Sequence, residues 1–97
     1  MAFASVPVAD FIVTDGEDLI GRFASSDFGH RLFCARCGTP LLMRDNDQPT
    51  PVDVSLATLD QPERVTPGFH IFYASRIPWA EAGDDLPRYA RSRPNGQ

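Results

Sequence analysis

Residues 29–44 read GHRLFCARCGTPLLMR, two β-prone runs joined by a short turn that carries both cysteines of the chain. The first run leads into the turn, and the second leads out of it. A Cys-x-x-Cys-Gly turn aims two sulfurs at one point, and the glycine accepts backbone angles that other residues resist. We therefore expect a hairpin-like excursion with Cys34 and Cys37 at its tip.

The two sulfurs have three interpretations. A structural zinc ion takes four ligands, commonly in pairs of thiolates at this spacing, so the motif would supply half of such a site. A thioredoxin-like redox pair usually opens a helix after a strand, whereas Thr39 and Pro40 followed by apolar residues indicate a turn entering a strand. The pattern favours the zinc knuckle, while a redox pair and two inert core thiols stay open.

Length and charge narrow the class of protein. The 97 residues include nine basic and thirteen acidic side chains, giving a net charge of −4. The basic residues are mostly scattered, which argues against nucleic acid as a partner because phosphate binding needs a positive face. No apolar run approaches the roughly 20 residues of a membrane span, and a leader peptide is not evident. We expect a soluble protein in a reducing cytoplasm, without membrane contact.

Short β-prone segments punctuated by glycine and proline indicate an all-β, mainly antiparallel fold. The clearest strand is VDVSLAT at residues 52–58, which alternates apolar and polar side chains. A helical turn is predicted at residues 78–82, with Pro78 at its first position. We expect one β domain over residues 1–90 and a frayed tail at residues 91–97. The other predicted strands are residues 9–14, 19–24, 29–34, 40–44 and 69–73.

Several different motifs follow one another along nearly the whole chain, from about residue 3 to residue 89. Together they resemble the C-terminal part of the glutathione-dependent formaldehyde-activating enzyme family, to which centromere protein V also belongs. The knuckle alone is unspecific, but its combination with the flanking elements is not. The motifs are Ser25-Ser26, Arg31, Phe33-Cys34-x-x-Cys37-Gly38-Thr39, Leu59-Asp60-x-Pro62, Pro67-x-x-His70-Ile71, Trp79 and Asp85-Leu86-Pro87.

This resemblance implies a fold and a chemistry. The implied fold is a β-tent, a stack of small antiparallel sheets with zinc near its apex. The implied activity is that of a carbon–sulfur lyase acting on the adduct of glutathione with formaldehyde. By the same resemblance, Cys34 and Cys37 complete a structural zinc site with two cysteines from an earlier segment, and three further cysteines hold the catalytic zinc.

None of those five earlier cysteines has a counterpart in this chain. Because a catalytic zinc needs about three protein ligands and an open position, we expect the chain by itself to be inactive. We interpret it as a shortened form that starts inside the domain, since Met1 falls where the family continues from its cysteine-rich segment. A natural short member stays open, as does a non-catalytic zinc or dimerisation module sharing Cys34 and Cys37 between chains.

Other side chains are candidates for binding substrate. Ser26 and Arg31 could orient a carboxylate such as that of glutathione, although a turn and a surface ion pair explain them equally well. His70 is a candidate lining residue, with a structural strand histidine as its alternative. His30 lies near enough in sequence to Cys34 to ligate a metal, but a local hydrogen bond is the commoner role.

An edge strand is expected near residues 6–13, because the resemblance places the missing part of the sheet beside it. Unpaired backbone groups at such an edge invite pairing with another copy. The sequence therefore predicts a homo-oligomer.

Overall fold

The computed structural model describes residues 1–46 and 51–93. The chain divides into two compact units, Met1–Val65 and Thr66–Gln97. Strands and short 3₁₀ turns make up the regular structure of the described residues, which confirms the predicted all-β, mainly antiparallel class. The first unit contains the strands β1 (Phe3–Val6), β2 (Ile20–Phe23), β3 (Gly29–Cys34), β4 (Pro40–Asp45) and β5 (Val52–Ser55).

The five strands form one sheet in the order β1-β5-β4-β3-β2, with every neighbouring pair antiparallel. The described strands thus form one sheet, whereas the resemblance implies a stack of small sheets. The predicted hairpin is confirmed as β3 and β4, which pair Leu32 with Leu42 and carry the two cysteines at their connection. β1 and β2 are the edges of this sheet. The edge strand predicted near residues 6–13 lies earlier in the chain, because β1 ends at Val6.

Side-chain alternation gives this sheet two faces, of which one carries the small core. Directly opposed residues of neighbouring strands point to the same side, so Leu42 and Val54 share a face with Leu32. We call this the inner face. Val52 lies on it with an exposed fraction of 0%, and Leu42 is also buried at 8%. Leu56, just beyond β5, completes the buried apolar residues of the described part of the chain.

The opposite face, which we call the outer face, carries a glycine covered by an aromatic ring. Gly21 pairs with Phe33, and a Cβ atom built on Gly21 would lie 2.5 Å from Cζ of that ring. On the same face the Ser5 hydroxyl donates a hydrogen bond of 2.7 Å to Asp53. Partial burial raises the pKa of the Asp53 carboxyl, although the bond from Ser5 opposes this shift.

The strand predicted at residues 9–14 is wrong. The chain turns there instead, because Pro7 is followed by the 3₁₀ turn Val8–Asp10 and the Asp10 N–H donates to the Pro7 carbonyl over 2.9 Å. The strand predicted at residues 52–58 ends at Ser55, where a 3₁₀ turn, Leu56–Thr58, begins. Alternation in sequence does not locate this end, because it continues to Thr58, whose hydroxyl instead donates to the Ser55 carbonyl within the turn.

In the second unit the strand predicted at residues 69–73 is also wrong. The segment forms one isolated β-bridge, between His70 and Arg88, and then the 3₁₀ turn Tyr73–Ser75. Phe72, at φ 52°, breaks the strand in the left-handed region that non-glycine residues rarely adopt. The helical turn near the C-terminus is therefore Tyr73–Ser75, whereas the predicted position begins with a turn closed by the Ala80 N–H and the Ile77 carbonyl.

Residues 94–97 of the predicted frayed tail lie outside the described residues. Within the described tail, the Arg91 carbonyl accepts a 3.0 Å hydrogen bond from the Phe72 N–H. The single domain over residues 1–90 stays a prediction. No helix in the described ranges has the length and apolar character needed to cross a bilayer, and the cytoplasmic location stays a prediction.

Candidate metal site and substrate-binding residues

Backbone hydrogen bonds shape the connection between β3 and β4 into a tight turn. The Gly38 N–H donates to the Cys34 carbonyl over 2.7 Å, and the Cys34 N–H donates to the Thr39 carbonyl over 2.9 Å. Gly38 has φ 82°, and a Cβ atom there would have no neighbour within 4 Å, so backbone angle rather than space calls for glycine. The Ala35 N–H bonds the Leu19 carbonyl, which ties the turn to the chain entering β2.

The two sulfurs at this turn differ in exposure and are not joined in a disulfide. Cys34 is half-buried and Cys37 is exposed. The Cys37 Sγ lies 3.0 Å from the Thr39 hydroxyl oxygen. This hydroxyl is the largest cause that lowers the pKa of the Cys37 thiol, followed by a backbone bond from Thr39 and a bond from the Cys34 thiol. Because the thiolate is the form that binds metals, the turn favours the ligating state of Cys37.

The residues present fit half of a structural zinc site. Zinc takes four ligands, and the whole chain contains two cysteines. Among the described residues, no group of three or more His, Cys, Asp or Glu side chains is placed to hold a metal. The Nδ1 atom of His30 lies 2.9 Å from the Asn46 side-chain oxygen, the local hydrogen bond that was its alternative role.

We expect the substitution Thr39→Val to slow alkylation of Cys37 by iodoacetamide near neutral pH. Valine removes the hydroxyl that stabilises the thiolate, so the pKa of the Cys37 thiol should rise and a smaller thiolate fraction should react. The rate-against-pH curve should move to higher pH, whereas Thr39→Ser, which keeps a hydroxyl, should stay near the parent curve. Identical curves for all three proteins would contradict this role of Thr39.

Arg31 and Cys34 leave β3 on opposite sides of the sheet. Arg31 is exposed on the outer face, opposite Phe23 and Met43, whereas Cys34 is on the inner face with Ile20. Arg31 lines a cleft of about 410 Å³ that reaches Gly38, in the turn that carries the two cysteines. The other residues lining this cleft are Arg22, Phe23, Leu32, Phe33 and Pro40.

Ser26 lies in the turn between β2 and β3, where its N–H donates to the Gly29 carbonyl over 3.3 Å. The turn that was one interpretation of Ser26 is therefore present. Ser26 is not among the residues that line the cleft containing Arg31. Its role in binding substrate stays a prediction.

His70 belongs to the second unit, where its ring binds a carboxylate. Its Nε2 atom lies 3.0 Å and 3.1 Å from the two carboxylate oxygens of Asp84. One of those oxygens also accepts the Leu86 N–H, as expected of an aspartate that caps a turn. The hydrogen bond from His70 is the largest cause that holds the pKa of Asp84 below its ordinary value.

We expect the second unit to lose stability in acid through Asp84. A carboxyl whose pKa is depressed in the folded state stabilises that state above the unfolded pKa, and the stability is lost as the pH falls through the folded pKa. Asp84→Asn should remove the acid-dependent part of the free energy of unfolding. Asp85→Asn, a matched change at the next residue, should keep it. Urea unfolding followed by the amide signals of residues 69–89, from neutral pH into acid, measures the difference. Equal acid sensitivity of both variants would contradict the prediction.

Three residues that were not predicted from the sequence contribute to the cysteine turn, the cleft and the surroundings of His70. They are Thr39, Arg22 and Asp84, respectively. The position of Thr39, two residues after Cys37 in a turn, was a usable signal because side chains of turn residues often bond their neighbours. Arg22 reaches the cleft through strand pairing, and Asp84 reaches His70 across fourteen residues. Neither of those contacts has a local sequence signal.

Comparison with known families places the chain. A family model described as glutathione-dependent formaldehyde-activating enzyme matches residues 1–75, which is most of the chain. Searches of curated proteins and of solved structures found no match. The matched range covers the five described strands, the turn with Cys34 and Cys37, and His70. The chain belongs to the glutathione-dependent formaldehyde-activating enzyme family.

Proposed function

We propose that this chain is a zinc-binding member of its family, in which Cys34 and Cys37 supply half of a structural zinc site. The observation that carries the proposal is the turn itself, which presents both sulfurs at the tip of a hairpin and lowers the pKa of the Cys37 thiol through Thr39. When bound, zinc would cross-link this turn to a second segment of polypeptide and stabilise the fold.

The remaining two ligands come from outside the knuckle. Our first proposal is a cysteine-rich segment like the one that the family resemblance implies. Lyase activity on the adduct of glutathione with formaldehyde is then a property of the completed domain, and residues 1–97 alone do not catalyse it. Two cysteines cannot provide both a structural set and the roughly three ligands of a catalytic zinc.

The alternative is a second copy of this chain, so that two knuckles share one zinc. The exposure of Cys37 favours it, because the sulfur is accessible to another molecule. The position of β1 at an edge of the sheet also favours association, since an edge strand has backbone groups available for pairing. This alternative is a dimerisation module without catalysis.

We further propose that the cleft containing Arg31 receives a carboxylate of the glutathione adduct. Arg22 and Arg31 both line it, and guanidinium groups bind carboxylates through paired hydrogen bonds. The cleft reaches Gly38, next to Cys37, so a bound carboxylate would lie near the knuckle. A role for Ser26 in binding the same substrate is part of this proposal and rests on the family resemblance. For His70, a role in binding substrate is a separate proposal on the same ground.

Native mass spectrometry with added zinc tests the proposal and separates its two forms. The first form predicts a complex of one chain, one zinc and one peptide when a synthetic Cys-x-Cys peptide is supplied. The alternative predicts two chains with one zinc when no peptide is present. Two results would overturn the proposal that Cys34 and Cys37 supply half of a zinc site. One is a single chain that binds zinc tightly without the peptide. The other is a chain that forms neither complex.

A further inference from the structure

We propose that a cavity of about 390 Å³ on the inner face of the sheet binds a neutral, apolar small molecule. The floor of the cavity comes from four different strands. Pairing of Ile20 with Cys34 and of Leu42 with Val54 places these side chains on the same face, because opposed residues point to one side. The floor is therefore built by the register of the sheet.

The wall of the cavity is the segment that leads from Pro7 to β2. Phe11 and Val13 line the cavity from this segment, which belongs to no strand and in which Phe11 has extended backbone angles. Gly16, at φ 77°, turns the chain back, and its carbonyl accepts the Leu19 N–H over 2.9 Å. The Ala35 N–H then bonds the Leu19 carbonyl. Turns with hydrogen bonds thus hold both ends of the wall, which keeps it in place over the sheet.

The lining decides the class of ligand. Thr58 reaches the cavity, but its hydroxyl already donates to the Ser55 carbonyl over 2.8 Å. Of the described lining residues, Asp15 is the one with a charge, so the described lining offers no cation to pair with an anionic ligand. A carboxylate would lose its hydration without compensation. The cavity therefore suits neutral, apolar molecules, in contrast to the cleft that Arg22 and Arg31 line.

The size of the cavity argues for an occupant. Ligand sites in proteins usually measure about 300–1,000 Å³ and are mostly apolar, and this cavity has both properties. The cavity is open on one side, so its apolar lining faces water unless an occupant covers it, and covering apolar surface is favourable. A volume of about 390 Å³ is large beside a core whose buried apolar residues, among those described, are Leu42, Val52 and Leu56. Cys34, one of the two proposed zinc ligands, also lines this cavity.

The test uses fluoroindole, a neutral probe of about ten non-hydrogen atoms, observed by fluorine NMR as the chain is titrated. We expect saturable binding at one site, with a Kd of about a millimolar or tighter. Val13 lies at the rim with an exposed fraction of 37%, so Val13→Trp should cover the opening and weaken binding at least tenfold. Val8→Trp is the matched control, because Val8 is 38% exposed and does not line the cavity.

Three outcomes would overturn the proposal. The first is no saturable binding, or equal binding by Val13→Trp and Val8→Trp. The second is a fluoroindole carboxylate that binds as tightly as the neutral probe, which would contradict the ligand class. The third is self-association that competes with the probe, which would make a second copy the occupant. If Val13→Trp does not fold, nuclear Overhauser contacts from the probe to the Val54 methyl groups of the unaltered chain decide the site.

Discussion

Replacing Cys37 by serine is expected to weaken zinc binding by more than about 100-fold, because removing even an outer-shell partner of a ligand costs up to about that factor. A serine hydroxyl stays protonated at neutral pH and is a poor zinc ligand, so one sulfur of the half-site would remain. In the native mass spectrum, the zinc-bound complex should disappear for this variant whether a peptide or a second copy completes the site. Cys34→Ser should have the same effect.

Arg36→Ala is the matched control for the cysteine variants. Arg36 lies in the same turn, between Cys34 and Cys37, but carries no sulfur. This variant should bind zinc as the parent chain does. If Cys37→Ser bound zinc with the affinity of the parent chain, the zinc ligands would lie elsewhere. The proposal that Cys34 and Cys37 supply half of the site would then be wrong. A loss of zinc in all three variants would instead show that the turn, rather than the sulfurs, is required.

The second large effect is expected from Leu42→Ala. Leu42 is 8% exposed, lies on the central strand β4 and forms part of the cavity floor. Truncating a buried leucine costs about 2–5 kcal/mol, and small domains are stable by about 5–15 kcal/mol in total. Urea unfolding should therefore show a loss of about a third of the folding free energy, at the middle of both ranges.

Leu19→Ala serves as the control for this loss. Leu19 is 41% exposed, so its truncation removes fewer contacts and should cost about 1 kcal/mol or less. Both changes remove the same atoms, and the difference between them reports burial at Leu42. Equal losses for the two variants would mean that the inner face of the sheet is not the core of this unit.

Prediction from the sequence succeeded where the determining residues are neighbours in the chain. The β3–β4 hairpin follows from two β-prone runs around Cys34 and Cys37, and β2 follows from residues 19–24. Prediction failed at residues 9–14 and 69–73, which have strand-like composition. Pro7 and the left-handed Phe72 override that composition, because a β-strand needs both extended backbone angles and a partner.

Local spacing was therefore enough to indicate the all-β class and the pair of sulfurs, since both depend on residues a few positions apart. The family followed from the order of several such motifs along the chain. The three-dimensional fold determined which side of the sheet each side chain occupies. It put Arg31 on the outer face and Cys34 over the inner cavity, and it brought Asp84 to His70. These placements depend on pairing between distant segments, and a shift of register by one residue would reverse the faces without changing the local sequence pattern.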